Sequence, residues 1–292
     1  MNKIETRIIG LIQMACANDP KQNLQNAIDS IREAAKKDAQ IICLPELFLS
    51  SYFCQTENPD HFSLAEPIPG PTSGSLAKLA KELEIVLIVP IFEKRTEGIY
   101  HNSAIVIDAD GSLSGTYRKM HIPDDPCFYE KYYFTPGDNG FKSFSTRYGK
   151  IGVLICWDQW FPEAARLTAL TGARFLFYPT AIGYQESDRD ESHQQIAAWE
   201  TVQKSHAITN GLFVASVNRC GKEDDLTFWG RSFVCNPFGK VLQQAGENEA
   251  QIIIASCSLP EIESTRQNWP FLRDRRIDAY QNLNKLFLDS DE

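Results

Sequence analysis

Residues 150–163 read KIGVLICWDQWFPE, and this stretch decides the fold at the centre of the chain. Its uninterrupted apolar run, Ile151 to Ile155, predicts a strand buried on both faces. The run leads to Cys156, and Pro162 is typical of the first turn of a helix. A thiol at a strand-to-helix turn meets backbone N–H groups and a helix field that favour thiolate, which suits a catalytic nucleophile. The alternative is a free cysteine that fills the core, as most buried cysteines do.

The flanking segments alternate between strand-like and helix-like apolar patterns. After Pro20, apolar residues recur with helical spacing, and a second helix is expected with Thr72 or Ser73 as its cap. The turn at residues 108–111, DADG, predicts a β-hairpin. Further helices are expected at 162–171 and 190–210, a second hairpin at 230–235 and 240–244, and other strands at 6–15, 41–44, 85–92, 141–147, 174–178, 212–217 and 251–257. Parallel strands and hairpins with helices outside predict a layered α/β sandwich.

Bulk composition limits the class of protein. The chain has 292 residues, 43% of them hydrophobic, and no linker or repeat, which favours one domain at residues 1–261. Residues 262–292 form a polar, aromatic-containing tail, expected to pack at a subunit interface. The net charge of −9 argues against a nucleic-acid partner.

The cysteines indicate the compartment. There are eight, without a C-x-x-C pair, so neither a zinc site nor a compact disulfide framework is indicated. Several fall within apolar runs, which favours reduced core thiols in a cytoplasmic protein. No apolar run approaches the ~18 residues that would span a bilayer, and no metal, nucleotide or flavin motif is present.

A glutamate follows a short buried strand in the sequence LPEL, residues 44–47. Catalytic groups gather at the carboxyl ends of parallel strands, where loops converge. The apolar neighbours of Glu46 would raise its pKa toward the range useful for proton transfer. The alternative is a glutamate that caps a loop or pairs with an arginine.

Two further charged groups lie where core packing would not place them. Lys119 ends the second strand of the first hairpin and could stabilise an oxyanion. Taken alone, it is more often the solvated end of a strand. Glu130 lies in an aromatic loop at residues 126–137 and could order a lysine or line a pocket. The alternative there is an aromatic lid that packs on the surface.

Glu, Lys and Cys in this order, each after a strand, resemble the catalytic set of the nitrilase superfamily of carbon–nitrogen hydrolases. By motif, LPE supplies Glu46, RK-x-H supplies Lys119 and CWD supplies Cys156, and Glu130 matches an accessory glutamate. The resemblance runs from about residue 6 to residue 260. It implies a four-layer α-β-β-α sandwich, no cofactor and a homo-oligomer, a dimer or larger assembly.

Three strings carry a narrower resemblance within the superfamily: MHIPDDPCFYEKYYFTPGD (120–138), CWDQWFPEAARLTALTGA (156–173) and YPTAIG (178–183). They resemble members that hydrolyse N-carbamoylputrescine to putrescine, carbon dioxide and ammonia. The Cys156 thiolate would attack the ureido carbon, with Lys119 and the backbone N–H of Trp157 holding the oxyanion. Glu46 would relay the proton, and Glu130 would position Lys119.

The substrate implied by this resemblance carries a primary amine, so an acidic group is expected at the distal end of the pocket. Glu186 is the first candidate and Asp125 the second, while Glu186 in an acidic run could equally be a solvated loop charge. Tyr52 and Trp157 could provide aromatic faces along the aliphatic chain.

Rival functions remain open from the sequence. An ω-amidase or a β-ureidopropionase-like amidohydrolase is one alternative, and the latter would need an arginine such as Arg189 to bind a carboxylate. A catalytically silent module that binds a small molecule is a remoter alternative. The presence of Glu46, Lys119 and Cys156 together argues against it.

Overall fold

The computed structural model describes residues 5–288 of the chain. Its strands, in chain order, are Thr6–Gln13 (β1), Ile41–Cys43 (β2), Val86–Thr96 (β3), Ile99–Ile107 (β4), Leu113–Arg118 (β5), Ser143–Thr146 (β6), Gly149–Val153 (β7), Phe175–Pro179 (β8), Gly183–Gln185 (β9), Phe213–Val217 (β10), Cys220–Glu223 (β11), Leu226–Trp229 (β12), Phe233–Cys235 (β13), Val241–Gln244 (β14) and Gln251–Ser258 (β15). Its helices are Pro20–Lys36 (α1), Pro71–Leu83 (α2), Glu130–Tyr133 (α3), Pro162–Leu170 (α4), Ser192–Asn210 (α5) and Pro260–Asn268 (α6). Within this part of the chain, no helix has both the length and the apolar character needed to cross a membrane.

Two six-stranded sheets form the centre of the molecule. The first has the order β15-β1-β2-β3-β4-β5 and the second the order β14-β13-β10-β8-β7-β6. The inner strands β1, β2 and β3 run parallel, as do β7, β8 and β10, whereas the outer strands pair antiparallel. Parallel inner strands bring their carboxyl ends to one edge, where the candidate site lies.

Alternating side chains on the first sheet separate two apolar layers. On β2, Ile41 and Cys43 pack in the core shared with the second sheet, whereas Ile42 packs with helices α1 and α2. The second sheet is covered on its other face by α4 and α5, through residues such as Ala165 and Trp199. The layers therefore run helix, sheet, sheet, helix, and the expected α-β-β-α sandwich is confirmed.

Helix α2 corrects one expectation. Its N-cap is Gly70 rather than Thr72 or Ser73, and Pro71 occupies the first helical turn. The backbone N–H of Gly70 donates to the hydroxyl of Ser73 at 2.7 Å, so the serine contributes to the cap from inside the first turn. Because the fixed φ of proline suits a helix start, the helix begins earlier than the cap residues alone predicted.

A small third sheet, of order β11-β12-β9, was not predicted from the apolar pattern, and neither were the helices α3 and α6. Its strands are three or four residues long, too short to show a period of two. Leu226 and Phe228 of β12 are nevertheless fully buried, in the cluster that also contains Tyr52. This sheet closes one side of the site.

Candidate active site

Glu46 lies directly beyond β2 and is fully buried. The next residue, Leu47, has φ of +50°, which turns the chain sharply after the carboxylate. A buried guanidinium holds this turn: Arg219 donates to the backbone oxygens of Leu47 at 3.4 Å and of Ser50 at 2.5 Å. Arg219 is neutralised by Glu223 at 2.9 Å. A buried ion pair therefore fixes the loop that presents Glu46.

The structure brings Glu46, Lys119 and Glu130 into one buried cluster. The Lys119 ammonium donates to Glu46 Oε1 at 2.8 Å and to Glu130 Oε2 at 2.7 Å, and all three side chains are inaccessible to solvent. The alternative interpretation of Lys119 as a solvated strand end is therefore wrong. The alternative that places Glu130 in a lid on the surface is wrong as well. One cation between two carboxylates leaves the cluster with a net negative charge when all three groups are ionised.

Two further residues complete this cluster: Asn102, which the sequence analysis did not identify, and Tyr52, which it placed along the substrate chain. The Asn102 amide, on β4, donates to Glu46 Oε1 at 2.7 Å, and the Tyr52 hydroxyl donates to Glu130 Oε1 at 2.7 Å. Asn102 lies within a polar triplet, His101 to Ser103, that interrupts an otherwise apolar strand. Buried polar residues in a strand require partners, so this triplet was a usable signal.

Tyr52 lies elsewhere than its expected place along the substrate chain. Its ring packs between Phe128, at a centroid distance of 5.6 Å, and Phe228, at 5.7 Å. Its hydroxyl is committed to Glu130, and Tyr52 is not among the residues that line the cavity beside Cys156. The ring therefore supports the glutamate rather than the cavity wall.

Cys156 follows β7 and begins a short 3-10 helix, Cys156–Trp160. Its φ of +43° is in the left-handed region, which costs a residue with a Cβ of the order of 1–3 kcal/mol. The thiol is 3.7 Å from the backbone oxygen of Ala181. Helix α4 begins at Pro162, as predicted, and Glu163 lies in its first turn.

Three pKa shifts describe how protons are distributed in the site. Burial, with smaller contributions from Glu46 and Glu130, raises the pKa of Cys156 well above 9.0 against the opposing effect of Lys119. Burial also raises the pKa of Glu46 to about 7. For Lys119, burial alone would lower the pKa, but the charges of Glu130 and Glu46 outweigh it and raise the pKa well above 10.5. The raised pKa of the Cys156 thiol is opposite in direction to the shift expected for a cysteine at a strand-to-helix turn.

The Glu46 carboxylate has one oxygen without a hydrogen-bond partner. Its Oε1 is occupied by Lys119 and Asn102, whereas Oε2 is buried without a hydrogen-bond partner. The Cys156 thiol is close enough to be one of the groups that lower the pKa of Glu46. A carboxylate with one free oxygen and a pKa near 7 is suited to general-base catalysis at neutral pH.

A cavity of about 530 Å³ opens onto Cys156. Trp157 and Asp125 line it, as expected, and Asp125 is exposed at the mouth. A second carboxylate, Asp188, also lines it, and no Lys, Arg or His does among residues 5–288. The remaining lining residues are mainly apolar or aromatic: Pro123, Pro126, Phe128, Trp160, Ala181, Ile182, Gly183, Tyr184, Gln185, Gln195 and Ala198.

Glu186 does not line this cavity. Its carboxylate pairs with Arg189 at 2.9 Å, and both side chains are 66% exposed. An ion pair between residues three apart is common on a single helical turn, so the spacing could have indicated this pair. Asp188, two residues further along the same turn, takes the place expected for Glu186 at the cavity wall.

Gln159, from the CWDQW string, lies in the short 3-10 helix that Cys156 begins, and its bonds are to helix α5. Its amide oxygen accepts hydrogen bonds from Trp199 at 2.7 Å and from Gln203 at 2.9 Å, both on α5. His206 Nε2 is 2.7 Å from its backbone oxygen. Gln159 thus anchors the 3-10 helix that begins at Cys156 to helix α5. Among residues 5–288, no group of three or more His, Cys, Asp or Glu is arranged to hold a metal ion.

This geometry, a thiol, a lysine and a carboxylate at the joint edge of two packed sheets, agrees with comparisons to known proteins. The family model described as carbon-nitrogen hydrolase matches residues 8–267. The chain therefore belongs to the carbon–nitrogen hydrolase family, and the resemblance to the nitrilase superfamily is confirmed. The protein is an amidohydrolase.

Individual relatives are similar over almost the whole chain. An N-carbamoylputrescine amidase from rice, Oryza sativa, is 44% identical over 97% of this chain and 96% of its own. A citrullinase from Francisella tularensis is 41% identical over 94% of this chain and 97% of its own. The crystal structure of a carbon–nitrogen hydrolase from Helicobacter pylori G27 has a TM-score of 0.94 and 46% identity, covering 97% of this chain and 100% of that one.

Proposed function

We propose that the protein hydrolyses N-carbamoylputrescine to putrescine, carbon dioxide and ammonia. The observation that carries this proposal is a cavity at Cys156 with two carboxylates, Asp125 and Asp188, and no basic side chain among the described residues. A ligand with a terminal ammonium fits this charge, whereas a ligand with a terminal carboxylate does not. The identity of 44% to the rice N-carbamoylputrescine amidase supports the same substrate.

The reaction begins with a proton transfer. Glu46 accepts the Cys156 proton as the sulfur attacks the ureido carbon, so the thiolate forms only as the C–S bond forms. The oxyanion of the tetrahedral intermediate is held by the Lys119 ammonium and by the backbone N–H of Trp157. Glu46 then returns the proton to the departing nitrogen, and ammonia leaves an N-alkylcarbamoyl thioester on Cys156.

Water completes the reaction. Glu46 takes a proton from the attacking water, the C–S bond breaks and the thiol is restored. The product carbamate loses carbon dioxide and gives the free diamine. Glu130, held by Tyr52, fixes the position of Lys119 through both steps, since it accepts a hydrogen bond from the ammonium at 2.7 Å.

The pH dependence of kcat/KM follows from the raised pKa of Glu46. A base must be deprotonated, and burial raises the pKa of Glu46 to about 7. We therefore expect kcat/KM to fall as the pH decreases through about 7, rather than through the ordinary glutamate range. The measurement is a pH–rate profile, with ammonia release as the readout. An acid limb near pH 4.5 would contradict Glu46 as the base.

The acidic mouth of the cavity gives a specificity prediction. Asp188→Asn should lower the preference for carbamoylputrescine over 3-ureidopropionate by roughly 10-fold, because an ammonium loses its charged partner while a carboxylate loses a repulsive one. Asp125→Asn should act in the same direction but less, because this residue is exposed. The ratio of the two kcat/KM values is measured.

The same loop provides controls. Asp190→Asn removes an exposed charge that does not line the cavity and should leave the ratio unchanged. Glu186→Gln tests the residue that the sequence predicted at the distal end of the pocket. If this variant discriminates between the two substrates as well as the wild type does, Glu186 takes no part in substrate recognition. A loss of discrimination would mean that Glu186 leaves Arg189 when substrate binds.

The second candidate function is hydrolysis of citrulline, favoured by the identity of 41% to the citrullinase. That substrate presents a carboxylate as well as an ammonium, and the expected cation for a carboxylate, Arg189, is paired with Glu186 outside the cavity. Steady-state rates on carbamoylputrescine, citrulline, 3-ureidopropionate and a glutamine-like amide separate the candidates, including an ω-amidase or β-ureidopropionase-like activity.

We also infer a homo-oligomer in the cytoplasm. All eight cysteines are free, as in reducing compartments. The tail from residue 262 exposes apolar side chains, and those of Trp269, Phe271, Ile277, Leu283 and Phe287 are suited to a subunit interface. Residues 289–292 of that tail lie outside the described part of the chain. Light scattering of the full chain measures the oligomeric state.

A further inference from the structure

Asp158 is fully buried two residues after the nucleophile and accepts four hydrogen bonds. Its Oδ2 accepts from the backbone N–H of Ile155 at 2.9 Å and from the Tyr117 hydroxyl at 2.7 Å. Its Oδ1 accepts from the backbone N–H of His121 at 3.0 Å and lies 2.7 Å from Nδ1 of the same histidine. A carboxylate offers about four lone-pair positions, so none is left for a ligand.

Two of these partners flank Lys119 in the sequence, and the third precedes Cys156. Tyr117 is two residues before Lys119 and His121 is two residues after it. Tyr117 lies on β5 and His121 lies in the bend that follows it, so Asp158 bonds the chain on both sides of Lys119. Ile155 directly precedes Cys156. A single carboxylate therefore joins the strand end that carries the lysine to the turn that carries the thiol.

We propose that Asp158 is a positioning residue that fixes the Cys156 thiol relative to the Lys119 ammonium. It touches no reacting atom and acts through Ile155, Tyr117 and His121. The His121 ring is itself held by stacking on Phe161, with ring centroids 3.7 Å apart and planes at 5°. The proposal rests on the proposed catalytic roles of Cys156 and Lys119.

Only a carboxylate can make this connection. Each oxygen of Asp158 accepts from one backbone N–H, of Ile155 on Oδ2 and of His121 on Oδ1. An asparagine has one oxygen, so its NH₂ group must oppose one of these N–H donors in either orientation. The hydroxyl and the imidazole can adapt by rotation or tautomerisation, whereas a backbone N–H cannot.

The test compares Asp158→Asn with Asp108→Asn. Asp108 is a matched control because a single oxygen, Oδ1, accepts its backbone bonds from Ala109 and Arg147, so an asparagine preserves them. We expect Asp158→Asn to lower kcat about 10- to 100-fold, with KM changed less than about threefold, because a misplaced nucleophile slows chemistry more than binding.

A second readout requires no substrate. The pH dependence of Cys156 alkylation by iodoacetamide reports the pKa of the thiol, which the Lys119 charge lowers. When the two groups move apart, alkylation of Asp158→Asn should require a higher pH than alkylation of the wild type. A role confined to fold stability would lower the melting temperature but leave this profile unchanged.

Each outcome decides the proposal. A folded Asp158→Asn with the kcat and alkylation profile of Asp108→Asn overturns it. Where Asp158→Asn is insoluble, Tyr117→Phe keeps the carboxylate and both backbone bonds, and we expect a roughly 3- to 10-fold lower kcat with the same direction of alkylation shift. Wild-type values in Tyr117→Phe then overturn the proposal. A wild type inactive on carbamoylputrescine refutes the proposed substrate, while the alkylation profiles still test Asp158.

Discussion

Replacing Cys156 by alanine is expected to lower turnover by about four orders of magnitude or more, because Cys156 is the one thiol among the residues that line the cavity. Binding should persist, since the cavity walls and the acidic mouth are untouched. Ammonia release measures turnover, and isothermal titration with carbamoylputrescine measures binding. In the wild type, acid quenching during turnover should trap an adduct on Cys156 with the mass of the N-alkylcarbamoyl group.

Cys127→Ala is the matched control for the nucleophile. Cys127 is a partly exposed thiol beside the cavity mouth and lies outside its lining. Its replacement should leave turnover intact and should not alter the pH dependence of Cys156 alkylation by iodoacetamide. Substantial activity in Cys156→Ala, or an adduct on any other cysteine, would contradict the proposed mechanism.

Replacing Lys119 by methionine is expected to abolish turnover and to destabilise the fold by about 3–5 kcal/mol, because two buried carboxylates lose their cation. The destabilisation should depend on pH. The charge of Lys119 lowers the pKa of Glu46, so without the ammonium the folded-state pKa of Glu46 rises further and the folded state favours the protonated carboxyl. The free energy of unfolding of the variant should therefore decrease, relative to wild type, as the pH rises above the unfolded-state pKa of about 4.3.

A second substitution separates the two effects. Glu130→Gln in the Lys119→Met background removes one of the two negative charges and should recover part of the stability but none of the turnover. Lys150→Met is the control, since Lys150 is part-buried and bonds only a backbone oxygen, that of Thr171. Urea unfolding at pH 6 and pH 8 measures stability. Equal destabilisation at both pH values would contradict the charge argument.

The positions of Glu46, Lys119 and Cys156 could be predicted because each residue follows a strand that the sequence pattern indicates. Glu46 ends a short apolar run, Lys119 ends a hairpin strand and Cys156 follows the central apolar run. Parallel strands direct such ends to one edge, so the pattern alone places these residues near one another. The short strands of the third sheet were not predictable, since their burial depends on packing over Tyr52 rather than on a local period.

The supporting residues could not be assigned from local pattern. Arg219 follows β10 and is buried against a loop more than 160 residues earlier in the chain, and nothing in its neighbourhood indicates that contact. Asp158 could be noticed close to Cys156, but its bond to Tyr117 on β5 depends on how the two sheets pack. Glu186 differs from these residues, because its spacing of three residues from Arg189 was a usable signal for the ion pair that it forms.

The pairing of β1 with β15 has a consequence for how the protein is made. Residues 6–13 lie between residues 41–43 and residues 251–258, so strand β1 gains its second neighbour only after residues 14–250 have been synthesised. Until then one edge of an apolar strand is open on the nascent chain, and open edges promote aggregation. Chains truncated before residue 251 should therefore be insoluble, even though they contain every catalytic candidate.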